Sequence, residues 1–233
     1  MNPRVFAPAK INLTLRVGRP RADGRHPLQS MVVFADVGDW VEAAPAAEFS
    51  LRVSGPFASA VAADDSNLVL RAARALAAAL REGRGAALSL TKNLPVASGI
   101  GGGSSDAAAT LKALNALWGA GLDEARLWQI ARALGADVPV CVSARGAYMT
   151  GSGEDFAPLD LPDLDAVLVN PLRPLATAAV YRQFDAMSLG ADFQACPAGA
   201  WRDRAACLAA IAACGNDLEA PARAMMPELA EMS

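Results

Sequence analysis

From Pro95 to Asp106 the chain reads PVASGIGGGSSD, and an alanine-rich helical pattern follows at once. Glycines 99, 101, 102 and 103 reach backbone angles closed to other residues and let the chain approach a ligand closely. The first N–H groups of a helix lack partners, and the helix dipole is positive there. A glycine-rich loop running into a helix is therefore an anion site, most often for phosphate. Ser104 and Ser105 add hydroxyls that can cap the helix, bind phosphate or reach a metal ion. Spacing excludes two other phosphate loops. No lysine follows the glycines, as G-x-x-x-x-G-K-[ST] requires. The dinucleotide pattern G-x-G-x-x-G, counted from Gly99 and Gly101, meets Ser104 where the last glycine belongs, which removes a Rossmann-type oxidoreductase.

Three further residues stand out. Asp137 lies in GADVP, after one helical pattern; an arbitrary G-A-D reads as a capping aspartate. Lys10 sits among apolar residues in a β pattern, where it either snorkels from an edge strand or needs a partner. His26 is the only histidine, and an isolated histidine reads as structural. The four cysteines, Cys141, Cys196, Cys207 and Cys214, form no C-x-x-C pair, so no zinc site is expected. Buried reduced thiols are expected rather than a disulfide framework.

The elements that must position these residues follow from periodicity. The chain of 233 residues is long enough for one large domain or two small ones. With 53 % hydrophobic and 19 % charged residues it reads as globular. A net charge of -3 argues against a nucleic-acid partner, which needs a basic surface. No apolar run has the length of a membrane span, and the start has no signal-peptide pattern, so a cytoplasmic location is expected. KINLTLRVG, SMVVFADV, DWVEAA, FSLRVSG and AALSLTKN read as strands. SNLVLRAARALAAALREG reads as a helix capped by Ser66 and stopped at Gly83. The helix after the glycines runs to Trp118, and LDEARLWQIARALG is another, capped by Asp123 and ending at Gly135. VPVCVS and GAYMTGSGE read as a strand pair and LDAVLVNP as a strand. PLATAAVYRQFDAM, AWRDRAACLAAIAAC and PARAMMPELAEM read as helices. The change of pattern predicts domains 1–157 and 158–233.

PVASGIGGGSSDAA resembles the second motif of the GHMP kinases: proline, small residues, G-[LI]-G, then two serines and a small residue. APAKINLTLRVGRPRADGRHPLQS resembles the first motif of that family's cytidine-recognising branch, P-A-K-[IL]-N-L before R-x-D-G-[YF]-H-x-L-x-[ST]. GADVPVCVSARGAYMTGSGE resembles the stretch with the catalytic aspartate, and NDLEAPA resembles the C-terminal domain. The resemblance implies an α+β, two-domain GHMP kinase fold. Its N-terminal domain is ribosomal protein S5 domain 2-like and its C-terminal domain is ferredoxin-like. The implied reaction is ATP-dependent phosphorylation of the 2-hydroxyl of a cytidine diphosphate methylerythritol, on the non-mevalonate route to isoprenoid precursors. Another GHMP small-molecule kinase is the alternative, and the RADGRHPLQS stretch separates the two.

The resemblance also implies roles. Asp137 becomes the base for the substrate hydroxyl proton, and Lys10 its partner. ATP lies along the backbone of Pro95, Val96, Ala97, Ser98, Gly99, Ile100, Gly101, Gly102, Gly103, Ser104 and Ser105. Mg²⁺ bridges its phosphates, with Ser104 or Ser105 as hydroxyl contact. Asn67, Leu68 and Lys92 match positions near the adenine. Asn12, His26 and Ser30 match the substrate side. Arg25 stands where the family has an aromatic residue, and a guanidinium plane can also stack on a base. Tyr181 is the expected opposite wall, with Phe184 second. The partner is thus a small molecule, with no nucleic acid or membrane, and the protein a monomer or homodimer. Family members continue into a third, glycine-rich motif near the reacting groups that this chain does not contain; GSGE at 151–154 matches a family hairpin instead. A truncated gene product or an incomplete sequence is therefore expected, and an inactive nucleotide-binding remnant is the third reading.

Overall fold

Alternating apolar and polar residues make strands of the first third of the chain, and three- and four-residue spacing makes helices of the middle. The computed structural model describes residues 1–190 and 201–232. Its contacts divide the chain into two units: 1–10, 34–96 and 100–144 in the first, 11–33, 97–99 and 145–233 in the second. Strands β1 (Arg4–Asn12) and β3 (Leu28–Ala46) contribute to both, so the division does not fall at a single point in the sequence.

In the first unit, β4 (Ser50–Ser54) runs parallel to β5 (Gly85–Thr91), and β5 runs antiparallel to β3, with Trp40 opposite Thr91 and Ala46 opposite Gly85. The sheet is therefore mixed. A Cβ on Gly38 would lie 2.3 Å from the Ala7 carbonyl oxygen, so only glycine lets β1 lie this close to β3. Helices α1 (Leu68–Leu80) and α2 (Gly102–Trp118) pack together. The α1 stripe Val69, Leu70, Ala73, Leu76 is buried, as are Ala107, Leu111 and Leu114 of α2. Helices α3 (Glu124–Ala131) and α4 (Val138–Ser143) complete this unit.

The second unit places β2 (Arg16–Val17) antiparallel to the start of β3, with Val17 opposite Leu28. Strand β6 (Ala147–Thr150) pairs with β3 and forms a hairpin with β7 (Asp155–Pro158), turning through 151–154. Helices α5 (Thr177–Ala186), α6 (Arg204–Cys214) and α7 (Glu219–Met225) follow. Met31, Trp201, Cys207 and Cys214 form one small core here, and Leu15, Val17 and Phe184 another.

The structure corrects several expectations. VPVCVS is helix α4, not a strand. Its unbroken apolar run fits either element, and Pro139 in the first turn favours the helix. The true partner of β6 is β7. SMVVFADV and DWVEAA are one strand of 19 residues. LDAVLVNP forms no strand; Val167 and Val169 are 87 % and 62 % exposed, and no neighbouring strand supplies a ladder among the described residues. Asn67 rather than Ser66 caps α1, accepting from the Val69 amide, and α1 closes at Arg81, not Gly83. Asp123 caps α3 as expected, but that helix ends at Ala131. Cys141 and Cys207 are buried free thiols, whereas Cys214 is disulfide-bonded, against the expectation of reduced thiols throughout; Cys196 lies outside the described residues. No helix among the described residues is long and apolar enough to cross a membrane.

Candidate active site

Helix α2 begins with Gly101 as its N-cap, in the left-handed region at φ 63°, and no side chain caps it. Its first amides are therefore not satisfied by a capping side chain. Lys10 donates its backbone N–H to the Ile100 carbonyl at 2.9 Å, which pins the end of the glycine loop to β1. A Cβ at Gly101 would lie 2.9 Å from the Lys10 Cβ, so glycine is required by both angle and space. Ser105 is buried, and its hydroxyl donates to the Pro8 carbonyl at 2.6 Å. Ser104 is half-buried. Of the two serines, Ser104 thus has the hydroxyl that is not committed to β1. Ala97 is also left-handed, at φ 53°, a conformation uncommon outside glycine.

Lys10 and Asp137 meet within the first unit. The Lys10 ammonium donates to Oδ1 of Asp137 at 2.8 Å; the lysine side chain is 4 % exposed and the aspartate 41 %. Asp137 precedes α4 but makes no capping hydrogen bond with its side chain. The isolated reading of G-A-D as a cap is therefore wrong, and the carboxylate is held by the lysine instead. Nearby, burial pushes the Cys141 thiol up to about 12.

Lys92 is buried, and its ammonium donates to Asp39 Oδ2 at 2.5 Å and to Asp106 Oδ2 at 2.7 Å. Burial pushes the Asp106 carboxyl up to about 7, with Lys92 opposing and Asp39 adding to the rise. Asp106 Oδ1 is buried without a hydrogen-bond partner. Neither aspartate was singled out by sequence reasoning. Asp39 lies in a β pattern 53 residues from Lys92, and nothing local marks it. Leu68 opens α1, and a Cβ on Gly103 would lie 3.6 Å from its Cδ1, so it borders the start of α2. Asn67 uses its side chain on the Val69 amide and the Ala62 carbonyl.

The second unit brings the expected substrate-side residues into two groups. The Asn12 amide donates to the Ser30 hydroxyl at 2.6 Å, and that hydroxyl donates to the Thr14 carbonyl. His26 is buried; its Nδ1 meets the Gly18 carbonyl at 2.9 Å and its Nε2 lies 3.4 Å from Asp185 Oδ1. Its ring packs on Tyr181 at 5.1 Å and edge-on to Phe184 at 5.8 Å. Phe184 is 1 % exposed and belongs to the core, whereas Tyr181 is half-buried. Arg25 is exposed, and its amide donates to Asp23.

Residues 67–145 match the family of GHMP kinases N terminal domain. The chain is 54 % identical to a 4-diphosphocytidyl-2-C-methyl-D-erythritol kinase of Parvibaculum lavamentivorans, over 97 % of this chain and 78 % of that protein. It is 49 % identical to the protein of the same name from Methylorubrum extorquens, over 97 % and 79 %. Among solved structures, a 4-(cytidine 5'-diphospho)-2C-methyl-D-erythritol kinase superposes with a TM-score of 0.73 at 34 % identity, covering 98 % of this chain and 80 % of that one. A mevalonate diphosphate decarboxylase from Legionella pneumophila superposes with a TM-score of 0.57 at 16 % identity over 79 % of this chain and 64 % of that one, a likeness of fold alone.

Proposed function

The chain belongs to the 4-diphosphocytidyl-2-C-methyl-D-erythritol kinases of the GHMP family, and on that premise we propose that it moves the γ-phosphoryl group of ATP to the 2-hydroxyl of 4-diphosphocytidyl-2-C-methyl-D-erythritol. The observation that carries the reading is the Lys10–Asp137 pair, tied through the Lys10 amide to the glycine loop. Phosphoryl transfer asks the protein for alignment, charge neutralisation and a place for the hydroxyl proton. Asp137 takes that proton, and Lys10 fixes the carboxylate and faces the developing charge. The backbone of 95–105 receives the triphosphate, its N–H groups from Val96 onward donating, with Leu68 and Asn67 on the adenine side. His26, Asn12, Ser30, Tyr181 and Arg25 serve the cytidine end.

Mg²⁺, when bound with the nucleotide, would supply charge neutralisation for the phosphates. Among the described residues no group of three or more histidine, cysteine or acidic side chains could hold a metal. Such an ion would arrive with the nucleotide, keep several waters and take few protein ligands. Ser104 is the hydroxyl for it, since Ser105 is buried and held against Pro8. The protein works in the cytoplasm, as a monomer or homodimer, with 1–157 as the N-terminal family domain and 158–233 as the C-terminal one.

The test is ADP release by the purified chain with Mg-ATP and a panel of alcohols: the cytidine substrate, homoserine and mevalonate. Turnover with the cytidine substrate alone is expected. Turnover with another alcohol, or ATP binding with no turnover on any, overturns the reading.

A further inference from the structure

Within the first unit, the Lys92 ammonium lies between two carboxylates that are themselves dry: the Asp39 side chain is 0 % exposed and Asp106 5 %. Taking three charges out of water costs several kcal/mol per ion, and an apolar trio of similar size would be no less stable. Stability alone does not account for such a cluster. Its connections do. Asp39 Oδ1 accepts from the Asn93 amide at 2.6 Å and the Leu94 amide at 2.8 Å, where the chain leaves β5 for the glycine loop. Asp106 stands in α2, where the chain leaves that loop. A Cβ on Gly102 would lie 3.1 Å from the Lys92 Nζ, so the first residue of α2 rests on the ammonium itself.

We propose that the Asp39–Lys92–Asp106 cluster is a strut joining the entry and the exit of the glycine loop, and that all three are positioning residues for the nucleotide phosphates. The ligand named here rests on the kinase reading; the strut rests on the contacts. Lys92, expected beside the adenine, has its ammonium enclosed by carboxylates and acts on the nucleotide through the backbone. With Asp106 removed, Asp39 alone would hold the lysine, and α2 would be released from the end of β5. The loop would keep its glycines but lose its set span.

Binding of Mg-ADP to the purified full chain, measured by calorimetry, tests this together with the KM for ATP and kcat. Asp106→Ala should weaken Mg-ADP binding and raise the KM for ATP by about tenfold, with kcat at saturating ATP within about threefold, the pattern of lost ground-state binding. Asp106→Asn keeps an oxygen acceptor for Lys92 and should restore affinity to within about twofold, as expected where one hydrogen bond carries the effect. A purely structural cluster would lower the melting temperature of Asp106→Ala and leave the affinity of its folded fraction unchanged, which overturns the strut. If Asp106→Ala does not fold, Asp39→Asn takes its place: both Asp39 oxygens accept, so an amide there must turn an NH2 on Lys92 or on the Asn93 and Leu94 amides, and unchanged affinity overturns the strut equally. Mg-ADP binding needs no second substrate, so the two readings fail separately. An unsubstituted chain that binds Mg-ADP but phosphorylates nothing ends the kinase reading and leaves the strut testable. A chain that turns over while Asp106→Ala keeps full affinity ends the strut alone. No Mg-ADP binding by the unsubstituted chain ends both.

Discussion

The Lys10 ammonium and Oδ1 of Asp137 lie 2.8 Å apart although 127 positions separate them in the chain. One end of the pair is dry and the other is 41 % exposed, so the carboxylate is held firmly and is still open to a hydroxyl. Removing the carboxylate would take away the proposed proton acceptor, and general-base groups contribute about 10² to 10⁴ in rate. Asp137→Ala should therefore lose at least about a hundredfold in kcat with an unchanged circular dichroism spectrum. A folded variant with near-normal turnover would remove Asp137 from its role.

Gly101 and Gly119 are both left-handed, at φ 63° and 61°, but only Gly101 has Lys10 against it; a Cβ at Gly119 meets nothing within 4 Å. Each Gly→Ala change carries the left-handed penalty, about 1–2 kcal/mol. Gly101→Ala alone should also displace Lys10 and depress kcat. Equal kcat in the two variants, read beside their melting temperatures, would show that the Lys10 contact does not matter.

Tyr181 and Phe184 both pack on His26 with different burial. Base–aromatic stacking is worth about 1–3 kcal/mol, so Tyr181→Ala should raise the KM for the cytidine substrate about tenfold and leave the KM for ATP alone. Phe184→Ala should instead destabilise the chain by about 3–5 kcal/mol, as for a fully buried aromatic ring. Reversed outcomes would make Phe184 the ligand wall.

Cys141 has a thiol that burial pushes from 9.0 to about 12. The thiolate is the reactive form, so the native chain should resist iodoacetamide at Cys141 near pH 9 and react once unfolded in urea. The group's folded value is raised, so its stabilising contribution is complete below 9.0 and is lost as pH rises towards 12. Peptide mass mapping of native and denatured samples checks the first statement, and alkaline melting curves compared with Cys141→Ala check the second.

Much of this was legible before any coordinates. Periodicity located α1, α2 and α3, and the spacing around Gly101 pointed to phosphate. Lys10 and Asp137 became a pair only through family resemblance, because no local pattern links two residues so distant. The α4 segment escaped because five successive buried residues erase the period that separates strand from helix. LDAVLVNP misled for the opposite reason: β propensity needs a neighbouring strand to act on. Asp39 was invisible because its two duties, one on backbone amides and one on an ammonium, are both assembled by the fold.

Strand β3 runs over 19 residues, and different stretches of it pair with β2, β6 and β5. One added residue midway would exchange inward and outward positions for everything beyond it. The segment 28–46 therefore behaves as a ruler: its length cannot drift. In relatives of this chain, gaps and insertions should gather beyond its end, in turns such as 47–49, and engineered tags or loops belong there.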